Sequence, residues 1–344
     1  MNYKLLTGPD KIDRSKWNDF ITGHPEGTVF QSPEMYDLYT KVYNYSPLVL
    51  ALEDERGKLA AILLAVIIKD YKGIGGVITA RCVVYGGSLI SADAANAPEL
   101  TDELIDALVE AVKSRSLYIQ FRNFRDVSVS LSVFRKHDFK FLDHLNLIVN
   151  TSNADITLSG ISKSKIRQAK RSLFAGAELA RAESTEEIQG FYRILKKVYK
   201  NKVRKPLPPE SFFLSFFNET KQGRLGLVMI AKYKGVVIGG MVCPITPGKS
   251  LSEWYVCGLD KLHHDIHPSI ILTYGAIEYA VKNNIPHFDF MGIGSPDRPY
   301  GVRDFKIGFG CEIVNYGRFE RINKPLLYQI ARAGFSLLSF LRLV

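Results

Sequence analysis

The sequence predicts an α/β protein made of two similar halves, each a mixed, mostly antiparallel sheet flanked by helices. Residues 48–67 and 227–245 both follow a strand, a charged Gly-containing turn and a second strand, the pattern of a hairpin. A helix and a further strand follow each hairpin, and the helix ends agree residue by residue, Ala-Val-Lys at 111–113 and again at 280–282. Two copies of hairpin, helix and strand predict two α/β domains of like fold.

The composition agrees with a folded protein of two domains. The chain has 344 residues, which is long for a single core, and 46% of them are hydrophobic, which excludes a disordered protein. Its four cysteines form no paired motif and no zinc spacing, so reduced thiols in a cytoplasmic protein are expected. The N-terminus has no secretory pattern, and no apolar run is long enough to span a membrane.

Positive charge is concentrated in the second half of the chain. The net charge of +10 divides into −2 for residues 1–150 and +12 for residues 151–344, and residues 161–210 alone carry +8. Such an asymmetry favours an anionic partner, such as RNA, a phosphorylated substrate or lipid headgroups. The alternative is a solvated basic face without a partner.

The boundary between the halves is expected near residues 150–160, where hydrophobic periodicity is lost. This gives a first domain at 1–152, a second at 153–322 and a C-terminal amphipathic helix at 323–344. The second domain should begin with a basic helix from Ser162 to about Ala175. Four cations of that helix share one face and form its candidate phosphate-binding surface: Lys163, Arg167, Lys170 and Arg171.

Two more helices are predicted beyond the basic one. Ser184 and Glu187 have the spacing of a capping box and open a helix with an apolar stripe. The tail of that helix is basic and includes Arg204, a candidate for holding a phosphate or carboxylate. Another helix is expected at about 210–220, after three prolines.

The segment 287–310 carries the strongest functional signal. It begins as a strand, in which Phe288 and Phe290 alternate with polar residues, and is broken at Gly292. Polar groups and phenylalanines then alternate along what is predicted to be an irregular, Gly-rich segment, a place where binding residues tend to lie. Its candidate site residues are Tyr300, Arg303, Asp304, Phe305 and Lys306.

The order of hairpin, strand, helix and strand in the second half resembles the core of the GNAT acyltransferases. Residues 151–316 resemble more closely the Fem-type branch, tandem GNAT-like proteins that build peptidoglycan interpeptide bridges. Three features carry this resemblance: the basic helix from Ser162 to Arg171, the Phe-Asp-Phe-Met-Gly strand end at 288–292, and the segment Tyr-Gly-Val-Arg-Asp-Phe-Lys-Ile-Gly-Phe-Gly at 300–310. The fold implied is two tandem GNAT-like domains.

The Fem-type resemblance also implies a reaction. In that family an amine attacks the ester carbonyl of an aminoacyl-tRNA, and the Phe-Lys pair, here Phe305 and Lys306, lies at the reacting centre. Lys306 could stabilise the oxyanion that forms there, could hold the tRNA terminus, or could be an ordinary surface lysine. Tyr300, Arg303, Asp304 and Arg204 are then expected to contact the substrate or donor. No metal and no cofactor is expected, because aminoacyl-tRNA or acyl-CoA serves as co-substrate.

The sequence departs from an ordinary acetyl-CoA enzyme. GNAT enzymes hold the pyrophosphate of acetyl-CoA on a Gly-containing loop that opens the helix after the central strands, and residues 263–271 contain no glycine. The coiled-coil arm of the larger Fem enzymes is absent too. A metal site at His263, His264, Asp265 and His267 is a weaker hypothesis than a polar loop.

The sequence therefore predicts a cytoplasmic acyltransferase that moves an aminoacyl or acyl group onto an amine of a cell-envelope peptide or glycan precursor. The alternatives are an acyl-CoA-dependent N-acetyltransferase and, in a different class, a catalytically inactive tandem module that only binds. The residues from Lys324 to Val344 alternate apolar and basic groups. This helix could contact a membrane surface, or could pack on its own domain.

Overall fold

The computed structural model of the protein describes residues 2–71, 73–94, 96–260, 262–297 and 301–340. Two compact units are formed. Unit 1 comprises residues 1–143 and 316–344, and unit 2 comprises residues 144–315.

The strands of the described residues follow in chain order. They are β1 (Lys4–Thr7), β2 (Tyr45–Glu53), β3 (Leu59–Ile68), β4 (Arg81–Tyr85), β5 (Leu89–Ile90), β6 (Tyr118–Arg122), β7 (Lys140–Leu142), β8 (Leu145–Asn150), β9 (Ala177–Arg181), β10 (Gly226–Tyr233), β11 (Val236–Thr246), β12 (Ser250–Ser252), β13 (Tyr255–Gly258), β14 (His287–Gly292), β15 (Glu312–Asn315) and β16 (Arg318–Ile322).

The helices lie between the strands along the chain, and each predicted hairpin is followed by a helix and a further strand. They are α1 (Arg14–Gly23), α2 (Pro33–Thr40), α3 (Gly73–Val77), α4 (Ala97–Val112), α5 (Leu131–Lys136), α6 (Ala154–Gly160), α7 (Lys163–Phe174), α8 (Thr185–Val198), α9 (Glu210–Lys221), α10 (Pro268–Lys282), α11 (Gly301–Ile307) and α12 (Pro325–Phe340). A single π-helical turn, Tyr199–Val203, extends α8, and 3-10 turns lie at Pro9–Lys11, Val29–Gln31 and Ser128–Ser130.

Unit 1 contains a sheet of eight strands in the order β1-β2-β3-β4-β6-β16-β7, with β5 paired to β3. The β4–β6 pair is parallel, and the other described pairs of this sheet are antiparallel. Helix α4 packs on one face of the sheet because its apolar residues recur every three or four positions and form a buried stripe. The stripe includes Leu100, Leu104, Leu108 and Val112, and these join the core with Phe121 and Phe319.

Unit 2 repeats this plan with the order β15-β8-β14-β12-β11-β10-β9, and β13 is paired to β11. Here β12–β14 is the parallel pair among the described strands. Its core is formed by α10, the central strands and the start of α7. The predicted capping box is present, since Ser184 and Glu187 cap α8 reciprocally. The apolar stripe of α8 is buried as expected at Ile188, Phe191 and Leu195.

Most strands of each sheet come from one half of the sequence. Each sheet also contains one strand that the sequence assigns to the other half. Strand β8 lies in the unit 2 sheet between β14 and β15, and β16 lies in the unit 1 sheet between β6 and β7. The division of the chain thus falls at 143/144 and 315/316 rather than at the expected 152/153 and 322/323. The reason is hydrophobic: Leu147 of β8 is buried in the unit 2 core, and Phe319 of β16 stacks on Phe134 of unit 1 with ring centroids 3.7 Å apart.

The strand next to β14 is interrupted at the point that becomes the candidate site. β12 pairs with β14 from Ser250 to Ser252, and the Glu253 N–H still donates to the Asp289 carbonyl at 2.8 Å. The next residue, Trp254, donates to Val242 instead, and β13 continues along β11. The two parallel strands therefore separate at Glu253, and side chains beyond this point can occupy the space between them.

Candidate active site

The Phe-Lys motif lies on a short helix rather than on the irregular segment that was predicted. Residues 301–307 form α11, and Lys306 in its last turn is only 8% exposed. Phe309 after the helix is fully buried, and Phe305 packs against it at 5.5 Å between ring centroids. The glycine after the motif permits a close approach of two backbones, because a Cβ on Gly310 would lie 2.5 Å from the Gly160 carbonyl carbon.

Lys306 forms a buried ion pair with Glu253. Its Nζ lies 2.8 Å from Glu253 Oε1, and the two side chains are 10% and 2% exposed. The same Nζ donates to the Phe290 carbonyl oxygen at 3.1 Å and lies 5.0 Å from the centroid of the Phe290 ring. The contact with Glu253 is a charge contact that lacks hydrogen-bond direction, since Oε1 has no hydrogen-bond donor among the described residues. Thr273 of α10 donates to the other oxygen at 3.4 Å.

A buried ion pair is expensive to assemble, because both charges lose their water. A well-packed apolar pair at the same place would often be as stable or more stable. The pair is thus weak evidence for a purely structural role. An ammonium has three N–H donors, and among the described contacts Lys306 uses one of them in a hydrogen bond, to the Phe290 carbonyl. Lys306 therefore keeps a donor for a ligand beside its charge contact with Glu253.

Asp289 is the second carboxylate of the site. It lies in the middle of β14, and Met291, which has a left-handed φ of 58°, donates its N–H to Asp289 Oδ1 at 2.6 Å. Burial raises the pKa of the Asp289 carboxyl to about 6, assisted by the negative Glu253 and opposed by the Met291 N–H, Lys306 and Asn146. A carboxyl with a pKa near 6 can accept a proton in neutral solution, as a general base requires.

The start of α7 contacts the motif directly. Ser162 donates its N–H to the Gly308 carbonyl at 2.9 Å, and Lys165 Nζ lies 3.6 Å from the centroid of the Phe305 ring. Burial lowers the pKa of Lys165. Lys165, Glu253 and Asp289 were not among the predicted site residues. For Asp289 a signal existed in the sequence, a charged residue between two strand phenylalanines, whereas Glu253 and Lys165 become recognisable only when the strands are paired.

The other predicted residues near the motif have different environments. Tyr300 lies outside the described residues. Arg303 donates from Nη2 to the Ser295 carbonyl at 2.5 Å, while its Nε is buried and has no hydrogen-bond partner among the described residues. Asp304 is exposed on α11. Arg204 follows the π-helical turn with a left-handed φ of 51° and is half-buried; the structure gives no contact that brings it to Lys306.

The four predicted phosphate-binding residues are all exposed on α7. Together with Ile166 and Phe174 they line one shallow groove along the helix, so the prediction that they share a face is confirmed. Arg171 is partly engaged, since its Nη2 lies 2.6 Å from Asp265 Oδ1. Phe174 is 94% exposed beside these cations.

The start of α10 is closed by a carboxylate. Asp260 accepts hydrogen bonds from both the N–H and the hydroxyl of Ser269, at 2.9 and 2.7 Å. Pro268 has no N–H, and the N–H groups of Ile270 and Ile271, which follow Ser269, donate to the His267 carbonyl. A negative side chain thus lies at the positive end of the helix dipole, where ordinary GNAT enzymes bind pyrophosphate. The arrangement disfavours a diphosphate ligand here.

The histidine-rich loop before α10 makes ordinary protein contacts. The His263 ring packs against Tyr233 at 4.7 Å, and His264 Nδ1 lies 2.7 Å from Asp265 Oδ1. No group of three or more His, Cys, Asp and Glu side chains among the described residues is arranged to hold a metal ion. In the described part of the chain, no helix combines the length and apolarity that crossing a bilayer demands.

Residues 162–306 match the family model described as the acetyltransferase (GNAT) domain. The matched residues extend from the N-cap of α7 to Lys306, and so include Glu253 and Asp289. This part of the chain is therefore similar to a GNAT acetyltransferase domain. Among curated proteins, none is matched by the sequence.

Solved structures extend the similarity over the whole chain. FemX is similar with a TM-score of 0.69 and 14% identity, covering 95% of this chain and 99% of FemX. A tandem GNAT protein from the clavulanic acid biosynthesis pathway is similar with a TM-score of 0.60 and 10% identity, covering 94% and 99%. L-PGS from Bacillus licheniformis is similar with a TM-score of 0.59 and 13% identity, covering 93% and 96%. The predicted tandem GNAT-like fold is confirmed, and the Fem-type resemblance holds at the level of the fold, which alone does not fix a substrate.

The buried ion pair predicts a thermodynamic signature. Glu253→Gln should lower the free energy of unfolding by about 3–5 kcal/mol, because it leaves the Lys306 charge buried without its partner. Glu253→Gln combined with Lys306→Met should cost less than the sum of the two single changes. Urea unfolding of the three variants measures this coupling. The matched control is Glu110→Gln, which breaks the exposed Glu110–Lys113 pair and should cost less than about 1 kcal/mol. A cost for Glu253→Gln as small as that of the control would contradict the interpretation.

Proposed function

We propose that this protein transfers an aminoacyl group from aminoacyl-tRNA to an amine of a cell-envelope peptide or glycan precursor. The observation that carries the proposal is the buried Lys306–Glu253 pair, placed where β12 and β14 separate. A cation fixed in a largely dry place is the feature that acyl transfer needs, since attack on an ester carbonyl creates a negative oxygen.

The described residues can be given consistent roles. The amine attacks the ester carbonyl carbon, and the new oxyanion is stabilised by the free donor of Lys306. Asp289 takes a proton from the attacking amine. When the tetrahedral intermediate collapses, the bond to the ribose oxygen breaks, and that oxygen takes the proton from Asp289 and leaves as a hydroxyl, which returns Asp289 to its ionised form. Glu253 holds Lys306 in place and does not need to change its protonation.

Two observations favour tRNA over acyl-CoA as the donor. Asp260 occupies the start of α10, so the backbone N–H groups that would bind a pyrophosphate are already used. The groove on α7 instead presents cations together with the exposed ring of Phe174. Cations that track phosphates, next to an aromatic ring on which a base can stack, are the common equipment of proteins that bind single-stranded nucleic acid.

The nature of the acceptor rests on the Fem-type resemblance, which implies a cell-envelope precursor as substrate. We place the reaction in the cytoplasm, where charged tRNA is available. A lipid-linked acceptor would agree with helix α12, since Leu326 and Ile330 are 78% and 63% exposed. Apolar side chains of this kind next to Arg332 could rest at a membrane surface.

The first prediction concerns Lys306. Lys306→Met should slow the chemical step by about 10²–10³, the usual effect of losing one oxyanion donor, while donor affinity changes much less. Single-turnover kinetics with aminoacyl-tRNA measures both quantities. Lys282→Met removes an exposed lysine of the same unit and should behave as wild type. Because Lys306→Met leaves Glu253 unpaired, the double variant with Glu253→Gln should be equally slow while folding normally.

Two outcomes would contradict this part of the proposal. Normal turnover of Lys306→Met with weak donor binding would make the lysine a donor clamp. Turnover of wild type with acetyl-CoA, and none with aminoacyl-tRNA, would establish the alternative of an acyl-CoA-dependent N-acetyltransferase. No transfer from either donor would favour the inactive binding module.

A second prediction follows from the raised pKa of Asp289, about 6. The base must be ionised, so kcat/KM should rise as the pH passes through about 6 and level off above it, and this inflection should be absent in Asp289→Asn. Asp155→Asn, an exposed position of α6, should keep the wild-type profile. If Asp289→Asn shows the same inflection as wild type, another group titrates and the assignment of the base is wrong.

A third prediction concerns the basic face of α7. Charge reversal in Lys170→Glu/Arg171→Glu should weaken tRNA binding and reduce the slope of log K against log salt by about 2, because fewer counterions are released. The control is Lys196→Glu/Lys197→Glu, two adjacent exposed lysines of α8. Filter binding at several salt concentrations measures the slopes. Equal effects of both pairs would show that net charge, and not the α7 face, governs binding.

A further inference from the structure

Lys165 is a cation beside the Phe-Lys motif to which the proposed reaction gives no role. It lies in the first turn of α7 and is half-buried. Its Nζ lies 3.6 Å from the centroid of the Phe305 ring and 5.4 Å from that of the Phe309 ring. Gly308 makes room for the side chain, because a Cβ there would lie 3.2 Å from Lys165 Cε. The ammonium is thus placed against the residue that precedes Lys306.

The Lys165 ammonium is not compensated as a buried cation usually is. Its contacts with the residues that the structure describes are with aromatic rings, and they include neither a hydrogen-bond acceptor nor an ion pair. The carboxylate of Asp260 attracts it, but burial outweighs this attraction and lowers the pKa of Lys165. Asp260 is engaged elsewhere, since it accepts two hydrogen bonds from Ser269.

Two lysines contact one cluster of three phenylalanine rings. Lys306 Nζ lies 5.0 Å from the centroid of the Phe290 ring, and Lys165 lies over Phe305. Phe309 joins the cluster, because its ring centroid is 6.0 Å from that of Phe290 and 5.5 Å from that of Phe305. The two cations differ in their partners, since Lys306 has a buried carboxylate at 2.8 Å and Lys165 has none among the described side chains.

A lysine in this environment is less stable than an apolar residue would be. A cation–π contact offsets only part of the cost of withdrawing an ammonium from water without hydrogen-bond acceptors. A methionine at position 165 would pack on the same rings without that cost. The lysine becomes favourable when an anion accepts its N–H groups, and a compact ammonium with three donors is a common ligand of phosphate.

We propose that Lys165 is a specificity-determining residue of the donor site, which binds the 5′-phosphate of the terminal nucleotide that carries the aminoacyl ester. This inference rests on the proposed function. In aminoacyl-tRNA the ester and this phosphate are attached to the same ribose, so no other anion of the donor is closer to the reacting carbonyl. With Lys306 at the carbonyl oxygen, a second cation on the same ring cluster is placed to bind that phosphate. Lys165 then distinguishes a nucleotide donor from an acyl donor that has no phosphate at this position.

The test uses the full chain and two stable donor analogues, 3′-aminoacylamino-3′-deoxyadenosine with and without a 5′-phosphate, in which an amide replaces the ester. Isothermal titration should show tighter binding of the phosphorylated analogue to wild type. Lys165→Met should weaken this analogue by about 10- to 100-fold, the effect of losing a charged hydrogen-bond donor, and should leave the phosphate-free analogue unaffected. Lys249→Met is the matched control, because Lys249 is a half-buried lysine of the same unit whose pKa burial also lowers. It should bind both analogues as wild type does.

A second measurement covers the case in which Lys165→Met fails to fold. In wild type, the phosphorylated analogue should protect Lys165 from reductive methylation and the phosphate-free analogue should not, with the exposed Lys282 as the unprotected reference. The role of Lys165 is disproved if wild type binds both analogues equally, if Lys165→Met weakens both by the same factor, or if the phosphorylated analogue leaves Lys165 unprotected. Transfer from aminoacyl-tRNA without these phosphate effects would overturn this inference alone. Phosphate-dependent binding through Lys165 without any transfer would support it and overturn the proposed reaction alone.

Discussion

The ion pair between Lys306 and Glu253 connects parts of unit 2 that are distant in the sequence. Lys306 comes from α11, Glu253 from the interruption between β12 and β13, and Thr273, which donates to Glu253, from α10. A buried ammonium is tolerated here because a carboxylate and the Phe290 carbonyl replace its water. The position of the Lys306 ammonium therefore depends on Glu253, the residue at which the chain after β12 stops pairing with β14. A shift of this point along the chain would move the ammonium as well.

The interruption in turn depends on glycines that allow close packing. A Cβ on Gly239 of β11 would lie 2.7 Å from the Cys257 carbonyl oxygen, and one on Gly258 would lie 2.7 Å from the Ser269 nitrogen. These glycines let β13 lie tightly against β11 and against the start of α10. Small residues in the strands thus help to fix where the carboxylate of Glu253 is held.

Most of the fold could be predicted from the sequence, because its signals are local. Hydrophobic periodicity, the capping box at Ser184 and the repeated hairpins gave the helices, the strands and the duplication. The exchange of β8 and β16 between the sheets could not be predicted, since pairing partners far apart in the chain leave no periodic trace. For the same reason Lys306 could be recognised from its motif, whereas Glu253 required the strand register. The short helix at 301–307 was missed because Gly301 suggested an irregular segment.

At the start of α10, one side chain changes the kind of ligand that the helix terminus can bind. A helix start with free N–H groups suits a compact diphosphate, which several adjacent donors can surround. Here Pro268 supplies no donor, Ser269 gives its donor to Asp260, and the carboxylate neutralises the positive end of the dipole. The carboxylate stabilises the helix as a cap does, and the same contact repels phosphate. One group of exposed cations in this domain lies instead on long side chains along α7, from Lys163 to Arg171. Cations spaced along a helix match a polyanion whose phosphates are spread along a strand better than they match a single diphosphate, and this is the physical basis of the proposal that the donor is linked to a nucleic acid.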